Sequence, residues 1–397
     1  LERALSSDTT RHILSQGIIA LGLAHFLTHF LEFALPALYP LIREEFSLSY
    51  SDVGLISSSV VITLFIFQTP IGHLSDRKGR KYLLMVFLAL LIGSTFLTGL
   101  SHSYLHLLLF QVLVGMGASA FHSAGMAMAS DIAPHRKMGR YMAVQGFGGT
   151  FGVALAPLIV SLLGTILGWR YAIQGAALLG IPVLLFIFKL LKDSGSALDS
   201  EEKDRIILSR KVILLILLGF VLQGFVFRGI VSFFPTYLVD VYGSSLKLAG
   251  SLTFLLFLGG AFAELVGGEL SDRTEKLNVV VFSYGVRCSL LYLINTLDNP
   301  HLLVALVIGF GFFQGMSTPA VASLIRDMSP SGSAGKSYGA VFSVATLTGF
   351  FSPLVVGYVG DLYSLRVSFY ILTLALLCAF TFVVMARYFK FKDTQRA

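Results

Sequence analysis

Long apolar runs separated by short polar breaks dominate the 397-residue chain. The runs fall at 13–41, 53–73, 82–101, 104–130, 139–164, 168–191, 211–240, 247–270, 278–297, 301–325, 337–361 and 365–389. Each is about 20 residues or longer, the length of helix that crosses ~30 Å of hydrocarbon. The pattern predicts an all-α integral membrane protein with twelve transmembrane helices. Between the sixth and seventh runs lies the one long polar segment, which includes Glu201-Glu202-Lys203-Asp204-Arg205. It divides the chain into a six-helix bundle at 1–191, a cytoplasmic linker at 192–210 and a second six-helix bundle at 211–397.

The two halves repeat one another. The stretch Gly72-His73-Leu74-Ser75-Asp76-Arg77 returns at one constant offset as Gly268-Glu269-Leu270-Ser271-Asp272-Arg273. The same offset pairs Gly115 with Gly311, Asp131 with Asp327, Pro157 with Pro353 and Arg170 with Arg366. A register held over so many positions marks a tandem duplication, with each copy far longer than a solenoid repeat. The two bundles are therefore expected to be pseudo-symmetric.

Composition agrees with a membrane protein: 55% of residues are hydrophobic and 13% charged, about half the usual soluble share. A net charge of +7 would suit a nucleic-acid partner, but the basic residues are dispersed in short loops between apolar runs. No nucleic-acid partner is expected. Instead, Lys and Arg concentrate on one side: the opposite loops carry Arg43, Arg170, Lys247 and Arg366, and Arg228 and Arg287 lie inside runs. The positive-inside rule then puts both termini in the cytoplasm, in the cell (inner or plasma) membrane. Cys288 and Cys378 both fall within apolar runs, so no disulfide framework is indicated. The first run is too long and too rich in polar groups for a cleavable signal sequence. With no nucleotide-binding loop and no catalytic triad spacing, the chain is not expected to be an enzyme.

Twelve helices in two repeats, with Gly72, Asp76, Arg77, Gly79, Arg80 and Lys81 after the second, resemble the major facilitator superfamily over the whole chain. That resemblance implies a monomeric secondary transporter in the lipid bilayer, its halves rocking around a central cavity that takes a small-molecule substrate. The loop copy in the second half is degraded after Arg273, so only the first is expected to have its full role. The resemblance implies gating there. Asp76, just past a helix end, would meet the N-terminus of the eleventh helix near Lys336 and Ser337. Arg77 and Arg80 would bridge to Asp131 at the end of the fourth helix. The alternative is a loop that only sets topology.

The fifth run contains Gly148-Gly149-Thr150-Phe151-Gly152-Val153-Ala154-Leu155-Ala156-Pro157. Gly148, Gly152 and Ala156 share a face that permits close helix contact, and Pro157 frees backbone groups. The stretch resembles, in part, the antiporter motif of the superfamily. The first run, with His25, His29, Glu32 and Leu35-Pro36-Ala37-Leu38, together with Phe121-His122-Ser123, resembles the branch that includes fosmidomycin-resistance exporters. Two departures stand out: Ser123 replaces a proline, and His29 stands where that branch usually has an acid. The resemblance implies proton-coupled export.

Charges at membrane depth cost at least ~2.5–3.5 kcal/mol each, so they face a cavity or a partner. His25, His29 and Glu32 are spaced i, i+4, i+7 and share one helix face. Arg228 occupies the corresponding part of the seventh run, and Glu32 and Arg228 are expected to face each other across the cavity. His25, His29, Glu32, His122 and Arg228 are thus the candidates for substrate and proton coupling, against the alternative of a static polar network. Gln145, Gln223 and Arg287 are possible substrate contacts, and Arg287 has Glu264 as its expected ion-pair partner. His25, His29 and Glu32 have ligand chemistry suited to a transition metal, but the first helix supplies no further ligand. No metal and no cofactor are expected beyond protons as coupling ion. The expected function is export of a small anionic or amphipathic organic solute. Proton- or sodium-coupled uptake of an organic anion is the alternative, and a non-transporting receptor or scaffold is a minor one.

Overall fold

The computed structural model describes residues 2–132, 138–192, 209–297, 299–328 and 334–396, and side-chain surroundings within 16–132, 142–192, 209–297, 299–325, 344 and 346–392. In chain order the helices are α1 Glu2–Glu32, α2 Tyr39–Phe46, α3 Tyr50–Lys78, α4 Arg80–Thr98, α5 Tyr104–Ala120, α6 Met126–Ile132, α7 Met138–Leu167 and α8 Trp169–Leu190. They continue as α9 Arg210–Asp240, α10 Leu246–Arg273, α11 Lys276–Thr296, α12 Pro300–Met328, α13 Ala334–Leu362 and α14 Leu365–Arg396. Among the described residues there is no strand. Eleven helices are long and apolar enough to cross a membrane on described residues alone. The remaining expected span, the eleventh run at 337–361, coincides with α13, and most of the expected linker lies outside the described residues. Apolar side chains as exposed as Leu265 at 71% and Ile166 at 69% belong to a surface facing lipid rather than water.

Three local features depart from a simple reading of the runs. The first run is not one helix: α1 ends at Glu32, and a 3₁₀ turn at Leu35–Leu38 leads into α2. Pro36 and Pro40 account for this, because proline removes an N–H and clashes with the preceding turn. The fourth run is also interrupted, by a π-helical turn at Phe121–Gly125 between α5 and α6. In the signature loop, α3 runs on to Lys78, so Asp76 lies inside its last turn rather than past its end. Gly79, at φ 96°, then ends α3 and starts α4 within one residue. That left-handed conformation is why glycine belongs there.

The chain forms two compact units, Leu1–Ile42 with Ser59–Asp199, and Arg43–Ser58 with Ser200–Ala397. In the first unit α1 lies along α7, and α4 packs on α5 and α8. In the second, α10 lies along α12, and α9 packs on α13 and α14. Its apolar core gathers Leu277, Tyr284, Met316, Leu324 and Val383. The Arg43–Ser58 segment is fixed within that unit by polar contacts. Tyr50 and Ser51 donate their N–H groups to the two Asp361 carboxylate oxygens at 2.7 and 2.8 Å. A carboxylate there meets both the free N–H groups and the positive end of the α3 dipole. Arg43 and the Tyr50 hydroxyl both reach Asp240.

Glycine sets the separation of α10 and α12. A Cβ at Gly311 would run into the carbonyl of Leu256, and one at Gly315 into that of Gly260. Backbones this close gain dispersion contacts that compensate for the weak hydrophobic drive between helices in lipid. Gly315→Ala is expected to cost about 1–3 kcal/mol, since the obstruction is backbone and cannot swing aside. Gly268→Ala, with nothing within 4 Å of the added Cβ, is expected to be neutral or slightly stabilising. Thermal unfolding of the two detergent-purified variants checks this; equal midpoints would refute the contact.

Candidate functional site

The first unit gathers three imidazoles. α1 and α7 meet through Gly148 and Gly152, whose Cβ atoms would strike the carbonyls of Gly22 and Phe26, and Ala156 on the same stripe is fully buried. This approach lays the His25 ring over Gly149, where an added Cβ would be 2.6 Å from both ring nitrogens. His25 Nδ1–H donates to the backbone carbonyl of Gln145 at 2.9 Å. A carbonyl only accepts, so the hydrogen is on Nδ1 and the neutral ring keeps a lone pair on Nε2. That Nε2 is buried and has no hydrogen-bond partner among the described residues. Such a group costs about 1–3 kcal/mol if left unsatisfied.

One turn along α1, His29 Nδ1–H donates to Glu32 Oε2 at 2.9 Å, and Glu32 is only 4% exposed. The π turn contributes His122. Its ring centroid lies 5.2 Å from that of His29 and 5.7 Å from that of His25, which are themselves 4.7 Å apart. Phe121 stacks on His25 at 4.3 Å and walls one side. The structure thus brings together His25, His29, Glu32 and His122. Gln145 joins them through its carbonyl, and its side-chain Oε1 is buried without a hydrogen-bond partner among the described residues.

The second unit holds a different group. Arg287 on α11 is fully buried, yet its hydrogen-bond partners are neutral: Nη1 donates to Gln223 Oε1 at 2.7 Å and Nη2 to Gln314 Oε1 at 3.1 Å. Its Nε is buried with no hydrogen-bond partner among the described residues. The rings of Phe310 and Tyr284 lie 4.9 and 5.7 Å from the guanidinium carbon. The expected ion pair with Glu264 is not what is found. The two glutamines occupy the guanidinium instead, Gln223 from α9 and Gln314 from α12. Arg228, on α9 in the same unit, is half-buried, and its side-chain stem passes over Gly349 of α13. Glu32 belongs to the first unit and Arg228 to the second.

In the signature loop Arg80 makes the ionic contacts. Its Nε and Nη2 donate to Asp76 Oδ1 at 3.0 and 2.9 Å, and its Nη1 donates to Asp131. The Asp131 side chain is 6% exposed, whereas Arg77 stands exposed on α3. The bridge expected from Arg77 and Arg80 together is therefore made by Arg80. The side chains of Lys336 and Ser337 lie outside the described residues.

A model of the family described as Major Facilitator Superfamily matches residues 21–353 and, a second time, residues 242–396. The chain belongs to the major facilitator superfamily. Among its relatives, the fosmidomycin resistance protein of Escherichia coli (strain K12) is 24% identical over 371 residues, 90% of this chain and 89% of that one. The hexuronate transporter of Bacillus subtilis (strain 168) is 25% identical over 373 residues, 87% of each. A crystal structure of a bacterial homolog of the human lysosomal transporter Spinster, inward-facing and unoccupied, shares the fold. It superposes with a TM-score of 0.80 at 17% identity, covering 96% of this chain and 98% of that one. This superfamily member is a multi-pass secondary transporter of small molecules in a lipid bilayer, not an enzyme.

Sequence reasoning missed Gln314 and Gly149. Gln314 is one polar residue in the apolar α12, and only its neighbour Arg287 gives it meaning. Gly149 was visible as part of a glycine pair, but its use under an imidazole depends on the packing of α1 on α7. For the loop, removing the Arg80 guanidinium would take away the ionic partner shared by Asp76 and the nearly buried Asp131 and weaken the states that contain the bridge. Arg80→Gln is expected to slow transport at least about tenfold, ~1.4 kcal/mol sufficing, with membrane insertion intact. Arg77→Gln is expected to have less effect, and equal rates for the two variants in proteoliposomes would remove the distinction.

Proposed function

We propose that this transporter exports a small anionic or amphipathic organic solute by alternating access, coupled to protons. The observation that carries the solute class is Arg287, a buried guanidinium with only neutral hydrogen-bond partners. A buried cation is stable when a counter-charge completes its hydrogen bonds. Gln223 and Gln314 orient it without neutralising it, which leaves the opposite charge to come with the solute. A carboxylate or phosphonate-type group suits a guanidinium because two parallel N–H···O bonds match its fork. The nearby Phe310 and Tyr284 rings supply apolar wall for the rest of such a molecule. The name of the hexuronate transporter, an organic-anion carrier by that name, supports the same class.

Export and proton coupling are proposed on the likeness to the fosmidomycin resistance protein and on the Gly148–Pro157 stretch of α7. Arg228 is proposed as a second cationic contact along the solute path. The Arg80 bridge to Asp76 and Asp131 is proposed to gate the cytoplasmic side.

The test uses proteoliposomes with an imposed pH gradient and matched anionic and cationic amphiphiles. Anionic solutes are expected to move against their gradient, and a protonophore is expected to abolish that accumulation. Charge-assisted hydrogen bonds contribute about 1.5–3 kcal/mol, so Arg287→Gln is expected to raise KM for the anion by about 10- to 100-fold. Preferential movement of the cations, or an unchanged KM, would reject the anionic class; accumulation that survives the protonophore would reject proton coupling.

A further inference from the structure

We infer that His25, His29 and His122 form a binding site for a divalent transition-metal ion of the zinc type. The inference goes beyond the anion site at Arg287 and does not depend on it. The ligand nitrogens of the three imidazoles all lie within 4.8 Å of one another. Tetrahedral coordination at metal–nitrogen distances of 2.0–2.1 Å needs nitrogens about 3.3 Å apart. Binding would draw the three rings together around the ion to that spacing.

Three independent features separate this cluster from a chance meeting of histidines. The first is the tautomer. His25 gives its Nδ1–H to the Gln145 carbonyl and His29 gives its Nδ1–H to Glu32, so in the neutral form of each ring the lone pair sits on Nε2. A metal-ligating imidazole is arranged this way, one nitrogen bonded to a carbonyl or carboxylate and the other left for the ion. The second is that His25 Nε2 is buried with no hydrogen-bond partner among the described residues, as a donor atom awaiting an ion would be. The third is the backbone around the cluster. Gly149 removes the Cβ that would collide with the His25 ring, and the π turn at Phe121–Gly125 interrupts a helix where His122 is presented. Such turns recur at functional sites because the extra residue re-aims a side chain.

Imidazole is a borderline donor, which favours Zn²⁺, Co²⁺, Ni²⁺ or Cu²⁺ over the oxygen-seeking Mg²⁺ and Ca²⁺. Three protein ligands leave a fourth position for water or an oxygen of a solute. Glu32 acts as a positioning residue: it holds the His29 ring and adds a negative charge near the ion, without itself being placed as a ligand.

The experiment uses the full chain, purified in detergent with no polyhistidine tag, and titrates it with CoCl₂ and separately with ZnCl₂, MgCl₂ and CaCl₂. One Co²⁺ per chain is expected, with the intense visible d–d absorption of a tetrahedral or five-coordinate centre, displaced by Zn²⁺ and unaffected by Mg²⁺ or Ca²⁺. His25→Ala and His122→Ala are each expected to abolish that band. Glu32→Gln is expected to keep the stoichiometry while weakening binding 10- to 100-fold, and Gly149→Ala to weaken it by displacing the His25 ring. Each variant is checked by gel filtration and by its metal-free thermal unfolding, so a misfolded variant cannot pass as a lost ligand. The inference is overturned if the wild type gives only the weak octahedral spectrum, or if the band survives in a folded His25→Ala/His29→Ala/His122→Ala variant. It is equally overturned if the band disappears instead with His102→Ala/His106→Ala, His102 lying in the α4–α5 connection and His106 in the first turn of α5. Loss of anion transport in Arg287→Gln would leave the cobalt spectrum unchanged, so failure of the anion reading and failure of the metal site are told apart.

Discussion

A charge or polar group in a membrane interior has no water to fall back on, and this constraint organises the structure. Each interior polar side chain must find a dipole, a counter-charge or a bound solute, or its burial costs several kcal/mol. The protein meets the demand differently in its two units. In the first, His29 donates an Nδ1–H hydrogen bond to Glu32 and His25 donates one to a backbone carbonyl, which orients both rings. In the second, Arg287 is steadied by two amide oxygens and two aromatic rings while its charge stays uncancelled. The difference is chemical. Neutral nitrogen lone pairs suit a cation, and a guanidinium held by neutral dipoles suits an anion.

Both arrangements depend on close backbones. Between lipid-solvated helices the hydrophobic drive is weak, and packing depends on how near the backbones come. Gly148 and Gly152 bring α7 against α1, and the same geometry opens the space over Gly149 that the His25 ring fills. In the second unit Gly311 and Gly315 do the equivalent for α12, the helix that carries Gln314, against α10. A stripe that reads as helix glue is therefore also what fixes the polar side chains. Changing it alters the site as well as the stability.

The Arg80 bridge applies the same constraint at the membrane edge. Asp131 is nearly buried and Asp76 is exposed, so one guanidinium shared between them compensates the carboxylate that water cannot reach. Gly79 at positive φ lets α4 begin at once with Arg80, which places that residue rather than Arg77 in reach of both acids. The role of the loop thus rests on a backbone conformation as much as on its charges.

Hydrophobic runs of membrane length, their count, the internal duplication and the one-sided Lys/Arg distribution determined the helical membrane fold from sequence alone, because the bilayer's thickness and the repeat register act on linear spacing. The i, i+4, i+7 face of His25, His29 and Glu32 was equally legible, since helical periodicity alone sets it. Three things needed the tertiary structure. Pro36 broke the first span, the π turn carried His122 to the other two imidazoles, and Arg287 took Gln223 and Gln314 instead of Glu264. Each depends on contacts between residues far apart in the chain or on a local break that trades one helical hydrogen bond for another, and neither leaves a periodic trace. Spacing fixed which residues share a helix face; only packing decided which faces meet, and with them which lone pairs and charges converge.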